Sequence, residues 1–207
     1  MKKCALDLIY TCRPVDVTNG HTVASFRYNL GASLVETVGP EMPQDIEYVV
    51  PVPNSGLFYA MGFAGKLGKP YYEGILKKNT EIRFLSETDS AIRENAIRNN
   101  FVILSEKLKG KNIALLDEAV FTGTTLKAVC DILRNDGVGK IYIFIPTCKV
   151  VTTCEDLPQT ELLAPRCDTE GMRKYLGADG LWFQDSAVFR RATQDIAEMC
   201  TECFEKL

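Results

Sequence analysis

Two adjacent carboxyls carry the most specific chemistry in the chain. Asp117 and Glu118 follow the apolar run Ile113-Ala114-Leu115-Leu116, and a short loop leads from them to Thr122-Gly123-Thr124-Thr125, where a helical pattern opens. In parallel sheets, ligands bind just beyond the carboxyl ends of strands. A helix start there offers unpaired N–H groups and a positive dipole end, which suit a phosphate. Gly123 lets the backbone approach such an anion closely. The loop is not of the Walker type, since the Gly-Lys-Ser/Thr ending is missing. Carboxylates beside a phosphate repel it unless they face something else, and the two hydroxyls of a cis-diol suit two acceptors. Strand, acid pair and Thr/Gly loop together predict a cradle for a ribose 5-phosphate.

The second group is the thiols: Cys4, Cys12, Cys130, Cys148, Cys154, Cys167, Cys200 and Cys203. The Cys200-Thr201-Glu202-Cys203 spacing can hold a metal, act as a redox pair, or place two thiols on one helix face. Cys130 falls inside a helical pattern and reads as a small buried hydrophobe. The basic start Met1-Lys2-Lys3 leads into an apolar stretch that Asp7 and Arg13-Pro14 break. No export signal is therefore legible, which disfavours a disulfide framework and gives a cytoplasmic location as the expectation. The one histidine, His21, stands before a helix and reads as a cap or surface group.

These groups need elements to position them. The 207 residues are 46% hydrophobic and 25% charged, which excludes global disorder and allows one domain with a real core. No apolar run approaches the roughly 20 residues of a membrane helix. The formal charge of −3, without a Lys/Arg cluster, excludes a non-specific nucleic-acid binder. The spacing of Val23, Phe26, Leu30, Leu34 and Val38 predicts a helix, with Thr22 as its N-cap. A strand over Ile46 to Val52 ends in the turn cluster Pro53-Asn54-Ser55-Gly56, and a helix to Leu67 is closed by Gly68. A strand over Tyr71 to Leu76 precedes a polar stretch, Lys77 to Asn100, whose first part reads as a loop. Then come a strand at Asn112 to Leu116, a helix from Thr124 to Arg134, strands at Lys140 to Ile145 and Gly180 to Phe183, and terminal helices. Continuous apolar strands are expected when helices cover both faces. The reading is one α/β domain over 1–207, built on a doubly wound, mostly parallel sheet.

Leu115-Leu116-Asp117-Glu118 followed by Thr122-Gly123-Thr124-Thr125 resembles the PRPP-binding motif of the type I phosphoribosyltransferases. Further segments are similar in order and spacing to the phosphoribosyltransferase half of the glutamine PRPP amidotransferases. They are Ile9-Tyr10-Thr11-Cys12-Arg13-Pro14, Val49 to Gly56, Tyr72 to Lys77, and Tyr175 to Leu181. The resemblance covers nearly the whole chain. It implies that Asp117 and Glu118 hold the ribose 2- and 3-hydroxyls, and that Thr122, Gly123, Thr124 and Thr125 hold the 5-phosphate. Asn54, Ser55 and Gly56 would meet the pyrophosphate, Lys77, Arg83 and Arg98 would cover it as catalytic cations, and Mg2+ would neutralise it. The implied activity is PRPP-dependent transfer of the phosphoribosyl group to ammonia or another amine, in purine biosynthesis.

Some positions depart from the family pattern. Glu118 and Asn54 stand where the family has Asp, Leu57 where it often has Arg, and Asn100 where it has Lys. The lost charges favour the alternative reading, a catalytically weakened PRPP- or nucleotide-binding regulator or subunit. The sequence carries no upstream glutaminase half, so no glutamine hydrolysis is expected of it alone; a separate glutaminase subunit could supply the ammonia, or the chain could use free ammonia or another amine. A homo-oligomer fits the reading; nucleic acid and membrane do not. One branch of the family holds a [4Fe-4S] cluster, and Cys4, Cys154, Cys200 and Cys203 match its four ligands, with Cys148 as the rival of Cys154 and Zn2+ as the alternative metal. The terminal segments 1–14 and 193–207 are then expected to meet at that metal centre.

Overall fold

The computed structural model describes residues 3–78, 100–154, 161–196 and 199–205. In chain order the strands are β1 (Lys3–Cys4), β2 (Val17–Thr18), β3 (His21–Thr22), β4 (Tyr48–Pro51), β5 (Ile75–Lys77), β6 (Phe101–Ile103), β7 (Ile113–Leu116), β8 (Ile141–Ile145), β9 (Gly180–Phe183) and β10 (Met199–Cys200). The helices are α1 (Val23–Val38), α2 (Leu57–Leu67), the short α3 (Ser105–Leu108), α4 (Thr124–Asn135), α5 (Thr169–Leu176) and α6 (Ser186–Ile196).

β4, β7, β8 and β9 form the central sheet in the order β4-β7-β8-β9, all parallel. Every residue of β7 and β8 is buried, which is why both read as unbroken apolar runs. Alternate side chains feed two cores, as the period of a strand requires. Ala114, Leu116 and Phe144 pack with Phe26, Leu30, Tyr59 and Phe63 from α1 and α2. Ile113, Leu115, Ile143 and Ile145 pack with Leu126, Val129, Leu133 and Met172 from α4 and α5. Helices thus cover both faces, and the fold is the doubly wound parallel α/β type.

α1 begins as its sequence predicts: the Ser25 N–H donates to the Thr22 hydroxyl at 3.1 Å. α1 and α2 cross at two glycines. A Cβ on Gly31 would stand 2.1 Å from the Tyr59 carbonyl oxygen, and one on Gly62 would stand 1.9 Å from that of Tyr28. Only hydrogen fits at either point, so the two backbones touch there.

Several elements differ from expectation. The strand expected over Ile46 to Val52 is trimmed to Tyr48–Pro51. Ile46 is in the core but outside the ladder, and Val52 already belongs to the turn. Of Tyr71 to Leu76, only the end is strand. Ile75–Lys77 pairs antiparallel with Phe101–Ile103, while Tyr71 makes a single bridge to Val49. The helix Thr169–Leu176 precedes the last sheet strand, so among the described residues only α6 is a terminal helix. Most of the polar stretch, residues 79–99, lies outside the described residues.

The two ends of the described chain meet. β1 pairs parallel with β10, with Lys3 opposite Met199 and Cys4 opposite Cys200. A π-helical turn, Asp7–Thr11, then carries the chain from β1 toward the carboxyl ends of the sheet. Beyond it, the Val23 and Ala24 N–H groups donate to the carbonyls of Asp16 and Pro14, which ties this strap to the start of α1.

Candidate active site

A cleft of about 350 Å3 opens where the chain leaves β4 at Val52 to Ser55 and leaves β7 at Asp117 to Leu126. Adjacent parallel strands both end there, which is the position the acid-and-loop motif requires. Asp117 and Glu118 line the cleft and are nonetheless only 5% and 6% exposed. Asp117 Oδ1 accepts from the Glu118 N–H at 3.0 Å and from the Ser55 hydroxyl at 3.2 Å. The Thr147 hydroxyl donates to the Glu118 carbonyl at 3.0 Å, fixing the backbone beneath the pair. Burial, and then the neighbouring Glu118 carboxylate, push the Asp117 carboxyl well above the ordinary carboxylate range. Glu118 Oε2 is buried with no protein partner. A buried carboxylate oxygen without a donor is costly, and this one lies on a cleft that can admit a hydroxyl or a hard cation.

The phosphate loop turns at Gly123, whose φ of +75° is left-handed backbone that glycine adopts without strain. The Thr124 N–H donates to the Thr122 hydroxyl at 3.2 Å, and the hydroxyls of Thr122 and Thr124 are 3.0 Å apart. Thr122, Gly123 and Thr125 line the cleft at the N-terminus of the twelve-residue α4. Asn54 and Ser55 line it from the opposite loop, next to the cis Pro53–Asn54 peptide. Gly56 does not reach the cleft. It sits under the turn, where a Cβ would be 2.3 Å from the Leu116 carbonyl oxygen. Lys77, at the end of β5, lines the cleft. Arg83 and Arg98 lie outside the described residues.

One wall was not assigned from sequence. Tyr10 to Pro14 line the cleft, together with Arg27 of α1. Arg27 is 4% exposed and donates from Nε to the Leu8 carbonyl at 2.8 Å and from Nη2 to the Cys12 carbonyl at 3.0 Å. Its signal in the sequence is a basic residue set among Val23, Phe26 and Leu30, inside the apolar stripe of α1.

The four matched cysteines lie near one another at the chain ends. Cys4 and Cys200 are paired in register. The Val151 N–H donates to the Cys203 carbonyl at 2.8 Å, which docks the last segment on the stretch that leads to Cys154. Burial pushes the Cys203 thiol up to about 12, and the Cys4, Cys154 and Cys200 thiols add to the shift. Cys4 is raised by burial too, and it senses Cys154 and Cys200. Cys148 is buried near Arg190, Glu205 and Asp185. Among the described residues, the four matched cysteines included, no group of three or more His, Cys, Asp or Glu side chains is placed so that it could hold a metal ion.

Residues 32–156 match the phosphoribosyl transferase domain family model. The amidophosphoribosyltransferase of Synechococcus elongatus is 29% identical over 208 residues, covering 98% of this chain and 41% of that protein. That of Pyrococcus horikoshii is 33% identical over 184 residues, covering 86% of this chain and 39% of its own length. The chain therefore spans about two fifths of these relatives. The structure of glutamine phosphoribosylpyrophosphate amidotransferase from B. subtilis, complexed with ADP and GMP, superposes with a TM-score of 0.83 at 26% identity, covering 98% of this chain and 46% of that one. Among the described residues no helix is long and apolar enough to cross a membrane.

Proposed function

The chain belongs to the phosphoribosyl transferase domain family, and on that premise we propose that it moves the phosphoribosyl group of PRPP to ammonia or another small amine. Its relatives are named for such a transfer, and we place the reaction in purine biosynthesis. The observation that carries the reading is the buried acid pair and the Thr/Gly loop on one cleft beyond parallel strand ends.

In this reading the C1–O bond to pyrophosphate breaks, and its electron pair leaves with the pyrophosphate. The amine lone pair forms the C1–N bond, and the nitrogen then gives a proton to solvent. Positive charge develops on the ribosyl ring and negative charge on the leaving group, so the protein's task is positioning and electrostatic stabilisation. Asp117 and Glu118 accept from the ribose hydroxyls, with Glu118 Oε2 the oxygen the fold leaves without a partner. Thr122 to Thr125 hold the 5-phosphate through hydroxyls and helix-start N–H groups. Asn54 and Ser55 face the pyrophosphate. Lys77 covers it from β5, and we assign Arg83 and Arg98 the same task. A magnesium ion on the pyrophosphate oxygens would neutralise leaving-group charge when bound. The Asp117 and Glu118 carboxylates on the cleft are oxygen donors of the kind such a hard cation prefers.

We assign Cys4, Cys154, Cys200 and Cys203 to a [4Fe-4S] cluster, with Zn2+ as the competing occupant. Four thiols from three chain segments have the donor chemistry of a thiolate-held centre, and their side chains would have to draw together to bind one. A bound centre would hold the chain ends together and supply no step of the transfer. Ammonia would come free or from a separate glutaminase partner. One observation favours the regulator reading: Asn54 brings no charge to the pyrophosphate turn.

The experiment is to incubate anaerobically prepared protein with PRPP, Mg2+ and ammonia, and to measure pyrophosphate. Ammonia-dependent release supports transfer. Ribose 5-phosphate binding without any release would make the chain a PRPP-binding regulator instead.

A further inference from the structure

Arg27 is the most deeply buried cation among the described residues, and its guanidinium donates to backbone carbonyls. A buried guanidinium is costly unless its donors are used. Here Nε and Nη2 close on Leu8 and Cys12, four residues apart, at the carboxyl end of the Asp7–Thr11 turn. That end exposes carbonyl oxygens and carries the negative dipole end, so a cation is favoured there. Tyr59, wholly buried at the glycine crossing of α1 and α2, donates its hydroxyl to the Ile9 carbonyl at 3.1 Å. Two side chains from the paired helices therefore hold three carbonyls of the strap. Tyr59 lies within electrostatic reach of Arg27, Glu118 and Asp117.

The strap matters because of what it walls. The Thr122–Thr125 loop, the acid pair, the Asn54–Ser55 turn and Lys77 line the cleft, and Tyr10 to Pro14 form a further wall. In the transferase reading the former are taken by the 5-phosphate, the ribose and the pyrophosphate, which leaves the strap as the wall for the acceptor. We propose that Arg27 is a positioning residue that sets this wall, and thereby the approach of the amine acceptor, without contributing to ribose phosphate binding. The acceptor part of this proposal rests on the transferase reading. The strap part does not.

The test compares wild type with Arg27→Lys, which keeps the charge and one donor group, and with Arg27→Met, which keeps only bulk. Three quantities are measured: amide hydrogen exchange over residues 8–14, ribose 5-phosphate affinity by calorimetry, and the KM and kcat for ammonia at saturating PRPP. In Arg27→Met the strap amides should lose protection, and kcat/KM for ammonia should fall about tenfold or more. Ribose 5-phosphate affinity should stay within about twofold, and Arg27→Lys should fall between wild type and Arg27→Met in the other two readouts. A merely structural role would lower all three together. Unchanged strap protection, or a loss of ribose 5-phosphate affinity equal to the loss in kcat/KM, overturns the proposal. If Arg27→Met does not fold, Arg27→Lys decides by the same comparison. A wild type that releases no pyrophosphate defeats the transferase reading and the acceptor role with it, while the exchange data still confirm or refute Arg27 as the strap's anchor.

Discussion

Replacing Glu118 with Gln should weaken ligand binding and stabilise the empty protein at the same time. The two carboxylates are adjacent and almost fully buried. Asp117 Oδ1 is already occupied by the Glu118 N–H and the Ser55 hydroxyl, whereas Glu118 Oε2 has no partner. The substitution removes the charged acceptor left for a ribose hydroxyl. Loss of one such bond costs roughly 1.5–3 kcal/mol, or about 10- to 150-fold in Kd for ribose 5-phosphate.

The same change removes the like charge that, after burial, raises the Asp117 carboxyl. A carboxyl raised on folding contributes stability that is complete below its unfolded value of 3.8 and is lost as pH rises through its folded value. Wild-type stability should therefore decline from the acid range toward neutrality on account of this group. Glu118→Gln should reduce that decline, and at neutral pH each kcal/mol of relief should raise Tm by about 2–4 °C for a chain of this length. Calorimetric titration with ribose 5-phosphate and thermal melts across pH measure the two halves. Unchanged affinity would remove Glu118 from the ribose site. A lower Tm at neutral pH would show that the pair is not a source of strain.

Three further outcomes follow from the geometry. Gly123→Ala should cost about 1–2 kcal/mol from left-handed backbone and reduce phosphate-dependent binding, because φ is +75° and the new Cβ would stand 2.8 Å from Leu163 Cδ2; a melt and a ribose 5-phosphate titration check it. Gly31→Ala should cost about 1–3 kcal/mol or more by prising α1 from α2, since the methyl would lie 2.1 Å from the Tyr59 carbonyl oxygen; an unchanged Tm would refute the close crossing. Protein prepared without oxygen should contain about four irons and four sulfides per chain. Cys200→Ser or Cys203→Ser should lose the iron while Cys130→Ser, with its position buried inside α4, keeps it; stoichiometric zinc with no iron would defeat the cluster.

How much of this was legible depended on whether local pattern and tertiary context agreed. β7, α4 and β8 were readable because a strand buried on both faces must be apolar throughout, and because Gly137 marks the helix stop. The place of the acid pair was readable for a related reason, since acids directly after such a run can only lie at its carboxyl end. β5 was misjudged because its partner, Phe101–Ile103, follows the long polar stretch, and no local signal pairs across it. The Asp7–Thr11 turn has no apolar period of its own; Arg27 and Tyr59, distant in sequence, hold it. Arg27 stayed hidden because a helix periodicity counts apolar residues and passes over a charge buried among them. Proximity of Cys154 to Cys4 and Cys200 had no signal in spacing, because it arises where the two chain ends dock beside the segment that follows β8.

The register of the central sheet limits how this site can change. Pro51, Leu116 and Phe144 stand side by side, so adjacent strands finish on one line and the loops that follow depart from a common level. Sliding β7 by one residue would exchange the faces of Ile113 to Leu116 and put each core's side chains into the other. Sliding it by two would keep the faces but carry the acids about 6.6 Å along the strand, away from Ser55. Neither displacement is tolerable, so the floor made by the acid pair is as invariant as the sheet beneath it. The loops that begin on that line can lengthen, shorten or exchange residues without disturbing it. A lineage could therefore reshape the walls of the cleft, the strap among them, while inheriting its floor unaltered.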